Sequence, residues 1–377
     1  MNRRERLMTT LRGEPVDRPA VSFYELNGLD EDPANHDPFN IYTDPSWLPL
    51  IELTREKTDR IVMRDMIFSG NLPDPTESIA TIETEIRNGS YYTTKTIRVG
   101  SRTLSSRTRR DPDVNTIWTE EHFLKDSDDL RLFLEIPFHA PVFRPDVNSV
   151  LQAEQKLGDS GIVMIDTPDP LCLAASLFDM ATYTVVAMTE SELFGRLLEK
   201  FSSVIFPRVE EIARLLPGRL WRIYGPEYAA PPYLPPYLFR EYVVRYDKTM
   251  VDVIQSGGGF ARIHSHGKIG AVLDDIVSMG GTAIDPVEPP PQGDVELGYV
   301  KEKYGKHLVL FGNLEVSDIE TLTVDVFAEK VRQAIAEGTS GSGRGFVLMP
   351  SASPYGRKLS QRALKNYEKI IDIVEAL

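Results

Sequence analysis

The chain has one cysteine in 377 residues, Cys172, so neither an internal disulfide nor a multi-thiolate metal site can form. Any metal would have to rest on His, Asp or Glu. No run of about 18 apolar residues occurs, which removes every candidate membrane-spanning helix. Positive charge is in deficit, with 42 Lys and Arg against 56 Asp and Glu and a net charge of -14. So acidic a chain lacks the electrostatic footprint for phosphate backbones or anionic lipid surfaces, and neither nucleic acid nor membrane is expected as a partner. Met1 to Gly13 (MNRRERLMTTLRG) is charged and helical in pattern, without the apolar stretch of a secretory signal, and a cytoplasmic address is expected. Neither GxGxxG nor GxxxxGK[ST] is present, which argues against a doubly wound nucleotide-binding sheet. GSGRG at 341–345 precedes a predicted strand instead of following one and reads as a flexible loop.

What is present is alternation. GIVMIDT (161–167), RLWRIYG (219–225), FARIHSH (260–266), GTAIDPV (281–287), HLVLFGN (307–313) and GFVLMPS (345–351) read as buried strands. Amphipathic helical segments lie between them, and a further apolar segment at Val21 to Tyr24 follows the N-terminal helix. Buried strands alternating with surface helices imply a parallel sheet. Each apolar run ends in polar residues on its C-terminal side: Asp166, Glu227 just past its run, His264 and His266, Asp285, Asn313 and Ser351. A (β/α)8 TIM barrel keeps its chemistry at that end. The predicted architecture is therefore an α/β barrel domain over 1–377 with a β insertion at about 81–120, where Thr, Ile and Tyr alternate around Gly100. Arg98, Arg102, Arg107, Arg109 and Arg110 crowd that insertion and read as a solvated strand face.

The sharpest local feature is Arg262-Ile263-His264-Ser265-His266. Positions i and i+2 of a strand share a face, so both imidazoles are expected to project together into the barrel mouth. There they either chelate a divalent metal or line a cleft as hydrogen-bonded polar groups. Glu227, at the exit of the preceding strand, would supply the third ligand of a catalytic zinc site with an open position. Asp285 and Glu288, in IDPVEPPPQGD, are candidate catalytic carboxylates: general bases, partners that orient a ligating imidazole, or plain loop carboxylates. Asn313 offers a substrate both a donor and an acceptor. Asp166 resembles Asp285 in placement, and Tyr228 and Tyr233, with Tyr237, would form an aromatic wall stiffened by prolines. Cys172, in LCLAASLF, reads as a small buried hydrophobe.

Taken jointly, GEPVDRPAV, the insertion ahead of TIWTEEHFLKDSDDL, GPEYAAPPYLPPYLFREY, RIHSHGKIGAVLDDIVSMG, AIDPVEPPPQGD, LFGNLE, GFVLMPSASP and the terminal helix with Asn366 resemble the uroporphyrinogen decarboxylase superfamily. The likeness is greater to its cobamide-dependent methyltransferase branch. The resemblance implies a (β/α)8 barrel whose open end takes either a tetrapyrrole or a small methyl donor facing a corrinoid held by a partner protein. The decarboxylases of that superfamily carry an arginine-rich RQAGR-type segment, and FYELNGLD stands there in this chain. Without those guanidiniums a polycarboxylate substrate loses its bidentate contacts.

The zinc methyltransferases use a His-x-Cys pair plus a later Cys. His264 matches the His, His266 stands in place of the first Cys, and Ser351-Ala352-Ser353 supplies no second thiol. The resemblance thus implies either a lost metal or zinc held by His264, His266 and Glu227, a harder set suited to oxygen-bearing substrates. The expected activity is methyl transfer from a small methylated compound, such as a methoxylated aromatic, to a corrinoid. The alternatives are a carboxy-lyase acting on another carboxylated substrate and a non-catalytic ligand-binding barrel.

Overall fold

The structure, a computed structural model, describes residues 1–69, 79–137 and 144–377. Eight parallel strands form one sheet: β1 (Ala20–Val21), β2 (Arg60–Asp65), β3 (Gly161–Pro168), β4 (Leu220–Tyr224), β5 (Phe260–His264), β6 (Ala283–Asp285), β7 (Val309–Leu314) and β8 (Phe346–Pro350). Neighbours in space are neighbours in sequence from β2 to β8, and β1 pairs with β8 through Ala20 to Val347 and Val21 to Leu348. The last seam, between β1 and β2, is closed by Asp59. Its N–H donates to the Val21 carbonyl at 2.7 Å and its carboxylate accepts from Val21 N at 2.9 Å. The result is the TIM barrel expected from the alternation. Long helices such as Ser191–Leu215, Val324–Gly338 and Gln361–Glu375 cover its outside with their apolar faces.

Register decides what fills the barrel. Leu220, Arg222 and Tyr224 alternate along β4, and Phe260, Arg262 and His264 lie beside them on β5. The lower interior is apolar, packed from Ala20, Ile162, Met164, Leu220, Ala283, Val309, Phe311 and Val347. Leu7 and Leu11 of the helix Arg3–Arg12 plug the N-terminal end. Further along the strands the same faces carry Asp166, Arg222, Arg262, His264 and Asp285, all buried. An apolar floor under a polar mouth is how such barrels separate stability from chemistry.

The chain between β2 and β3 carries a separate antiparallel sheet of four strands, Ala80–Arg87, Ser90–Val99, Arg102–Arg110 and Ile117–Glu121, in sequence order. Arg107 and Arg109 pair with Glu120, Arg102 pairs with Asp129, and Arg110 donates to the Phe39 carbonyl. No described helix is long and apolar enough to cross a membrane.

Candidate functional site at the barrel mouth

The expected strand 260–266 ends early. β5 stops at His264, so His266 lies beyond the ladder and strand alternation does not bring the two rings together as expected. They meet because the chain turns at the strand exit, where Ser265 N donates to the Asp285 carbonyl at 2.9 Å. The ring centroids are 4.6 Å apart and nearly perpendicular.

Each ring is held by its own carboxylate. His264 Nδ1 lies 2.8 Å from Asp285 Oδ2, and His266 Nδ1 lies 2.8 Å from Glu288 Oε1. Glu288 also accepts from Gly267 N at 2.5 Å, which fixes its position. Asp285 is fully buried against Arg262, with Nε 2.9 Å from Oδ1 in a charge contact without hydrogen-bond alignment. Burial pushes the Asp285 carboxyl up, but Arg262 and then His264 outweigh it and hold it down at about 2. An ionised Asp285 can only accept, so it draws the His264 proton to Nδ1 and leaves Nε2 as an acceptor. Burial disfavours the His266 charge, yet the hydrogen bond and charge of Glu288 prevail and raise its pKa. Glu288 is correspondingly lowered despite its own desolvation.

Across the mouth stands a second network, in which the substrate-binding candidate Asp166 is joined by Arg222 and Tyr24, two residues that the sequence reading left unassigned. Arg222 makes a bidentate pair with Asp166, at 2.6 Å and 2.8 Å, and also donates to the Tyr24 hydroxyl. Burial works against the Arg222 charge, but Asp166 and Tyr24 keep it protonated. Tyr24, whose phenol burial pushes up, stacks beside His264 with centroids 5.9 Å apart, so the two networks share a wall. Asp65, at the rim, is raised by desolvation and then by the like charge of Asp166. On this side a cavity of about 380 Å³ opens, lined by Asp65, Asp166 and Tyr224 and by apolar side chains including Ile67, Phe68 and Leu173.

The remaining candidates disperse. Glu227 leaves β4 through Gly225, whose φ of 130° suits glycine and whose Cβ would come within 2.1 Å of Asp169 Oδ1. The Glu227 carboxylate accepts from Gly225 N at 3.1 Å. It faces Asp169 and Asp247, whose carboxyls burial and then like charge push well up, and it adds a smaller upward push on His266. Tyr228 packs edge-on against Tyr183, and Tyr233 and Tyr237 are exposed. Asn313 lines a separate cavity of about 190 Å³ with Pro289 and Glu315. Glu315, not singled out from sequence, is buried with Oε1 unpartnered, and desolvation followed by the Glu288 charge pushes it up to about 7.

For a metal, the two imidazoles have suitable chemistry, since a carboxylate on Nδ1 orients a ligating ring and raises its basicity. The third donor is not in place. Among the described residues no three His, Cys, Asp or Glu side chains come together as a set that could hold an ion.

Residues 147–355 match the sequence profile described as Uroporphyrinogen decarboxylase (URO-D). The solved structure of a methyltransferase from Methanosarcina mazei superposes with a TM-score of 0.64 at 15% identity, covering 100% of this chain and 99% of that one. A D-psicose 3-epimerase with D-tagatose from Clostridium cellulolyticum H10 is similar over 60% of this chain and 82% of its own, at 9% identity and a TM-score of 0.36. No curated protein matches the sequence.

Proposed function

The chain belongs to the uroporphyrinogen decarboxylase (URO-D) family, and from that premise we propose that it is a methyltransferase moving a methyl group from a small methylated compound to a corrinoid carried by a partner protein. The observation that carries this reading is the pair of carboxylate-anchored imidazoles at the mouth, His264 on Asp285 and His266 on Glu288. A methyl bound to oxygen leaves only if the charge developing on that oxygen is stabilised, and preorganised donors in a partly dry site do this well. The methyl carbon passes to the corrinoid while the oxygen keeps the bonding pair. His266, whose protonated form Glu288 favours, holds a proton for that oxygen. Ionised Asp285 keeps His264 in one orientation with Nε2 as an acceptor, which positions a donor group of the substrate or a protonated His266 rather than the departing oxygen itself.

Zinc on His264 and His266 would supply Lewis-acid chemistry to the methylated heteroatom. Glu227 lies toward Asp169 and Asp247 and does not complete the ligand set, so no step of this proposal runs through a metal. A carboxy-lyase is the second reading, favoured by the two arginines in the mouth. It is the weaker one, because Arg222 and Arg262 already face Asp166 and Asp285 and have no charge to spare for a substrate carboxylate.

The test is to incubate the protein with reduced free corrinoid and a panel of methoxylated aromatics and to follow the absorbance of the methylated corrinoid. Turnover in the wild type and its loss in both His264→Ala and His266→Ala is the expected result; no methylated corrinoid with any donor sinks the proposal. Zinc analysis of the same three proteins tests whether the imidazoles ligate. Metal in the wild type alone supports ligation, and equal content in all three rules it out.

A further inference from the structure

Beside the mouth, a cavity of about 190 Å³ lies between the end of β7, the proline loop after β6 and the helix Val324–Gly338. Its charged lining is mostly acidic, with Glu296, Glu315, Asp318 and Glu337 against Lys330. Three of the four acids are already served. Asp318 pairs with Lys330 at 2.9 Å, Glu337 accepts from Gly298 N at 2.9 Å and from Gln333 at 2.7 Å, and Glu296 is exposed to water at the rim.

Glu315 is the exception. It is 6% exposed, and its Oε1 is buried without a partner. It stands at the N-cap of the helix Val316–Thr321, yet its side chain makes no capping bond. Desolvation and then the Glu288 charge push its carboxyl up to about 7, with Asp318 adding to them and Ser351 and His266 acting against them. Among the described residues no cation is in ion-pair contact with it, since Lys330 is turned to Asp318 and His266 to Glu288. A buried acceptor left unmade costs free energy, so its place at a cavity wall asks what would donate to it.

Backbone dipoles do not remove the surplus of acid. The helices Leu297–Tyr304 and Val316–Thr321 begin at this cavity, and two helix N-termini offset roughly one negative charge between them. With Lys330, that matches about two of the four carboxylates. The helix Val324–Gly338 lies lengthwise along the wall, from Phe327 to Glu337, so its two ends oppose each other. The missing donor should therefore carry positive charge. A metal ion fits poorly, because among the described residues no three ligating side chains come together. An organic ammonium brings its own N–H donors and needs only acceptors. The Asn313 carboxamide, in the same wall, offers a second one. Leu314 and Phe327 supply apolar surface, and the volume holds roughly six water-sized groups.

We propose that this cavity binds a small primary alkylammonium, its N–H groups donating to the Glu315 carboxylate and the Asn313 carboxamide oxygen and its chain lying against Leu314 and Phe327. This assignment does not depend on the methyl-transfer reading.

Calorimetric titration of the full chain with butylammonium chloride at pH 8, with ionic strength held by sodium chloride, tests it. Saturable one-site binding is expected, weakened at least about tenfold in Glu315→Gln. Glu296→Gln removes the same charge from the rim and should weaken it less than about threefold. Tetramethylammonium, equal in charge but without N–H, should bind at least about tenfold more weakly to the wild type. The bound ammonium holds Glu315 ionised, so affinity should fall from pH 8 to pH 6 and binding at pH 6 should release a proton from the wild type, while the amine itself stays protonated at both. No saturable binding of butylammonium, equal weakening in the two variants, equal affinity for tetramethylammonium or no proton release at pH 6 overturns the proposal. Circular dichroism of each variant confirms folding, and the tetramethylammonium and proton-release measurements need the wild type alone.

Discussion

The two sides of the barrel mouth spend similar residues differently. On the β5–β6 side, carboxylates anchor imidazoles by one nitrogen and leave the other available. On the β3–β4 side, Asp166 and Tyr24 consume the donors of Arg222. The first arrangement orients a group for chemistry, and the second locks a guanidinium into a rigid wall beside a cavity. Both depend on the same strand register, in which Asp166, Arg222 and Arg262 lie side by side and His264 lies beside Asp285. Buried charges therefore need not mark a reactive group. What distinguishes the two sides is whether the pairing leaves a nitrogen uncommitted.

The largest test of this contrast is Asp285→Ala. It strands the Arg262 guanidinium, 1% exposed and unable to shed its proton, and should cost about 3–5 kcal/mol in a denaturant titration. Arg222→Met on the other side strands Asp166 instead, and a carboxylate can take up a proton. Its expected cost is about 2–3 kcal/mol at pH 8 and visibly less at pH 5. Equal, pH-independent costs for the two variants would break the comparison.

Tyr24→Phe removes one hydrogen bond to a charged group and should cost about 1–2 kcal/mol. Because Tyr24 also walls His264, the same variant should slow methyl transfer more than it raises KM.

Glu315→Gln should have an effect confined by pH. The folded protein holds this carboxyl at about 7, above its ordinary value of 4.5. The native state therefore binds the extra proton, and wild-type stability falls as pH rises from about 4.5 to 7. The glutamine variant should lack that slope, so melting curves should converge at pH 5 and favour the variant at pH 8. A parallel pH dependence in the two proteins would contradict the raised carboxyl.

Much of the fold was legible because buried parallel strands are apolar runs, as in Gly161–Pro168, and because polar residues close each run at one end. The β1–β2 seam was not, since it rests on one backbone hydrogen bond and one to the Asp59 carboxylate, with no periodic signature. In the site, strand neighbourhood correctly put β4 beside β5, but a residue beyond a strand's end takes its direction from the turn that follows. Glu227 swings through Gly225 toward Asp169 and Asp247, and His266 leaves the ladder yet still meets His264. Arg222 and Arg262 carried a usable signal, each lying two residues before a polar strand end in RIY and RIH. An arginine on the inward face of a buried strand requires an anion, and that rule would have found Asp166 and Asp285 as their partners. Glu315 gave no such signal, because its environment is made by Glu288 and Ser351 from other strands.

The central claim is that Asp285 fixes His264 with its proton on Nδ1, leaving Nε2 unprotonated. Long-range nitrogen–proton correlation spectra of the neutral imidazoles at pH 8, with His264→Gln to assign the resonance, read this directly. His264 should show the Nδ1–H tautomer and lose that preference in Asp285→Asn; an Nε2–H tautomer in the wild type would refute the Asp285 anchor.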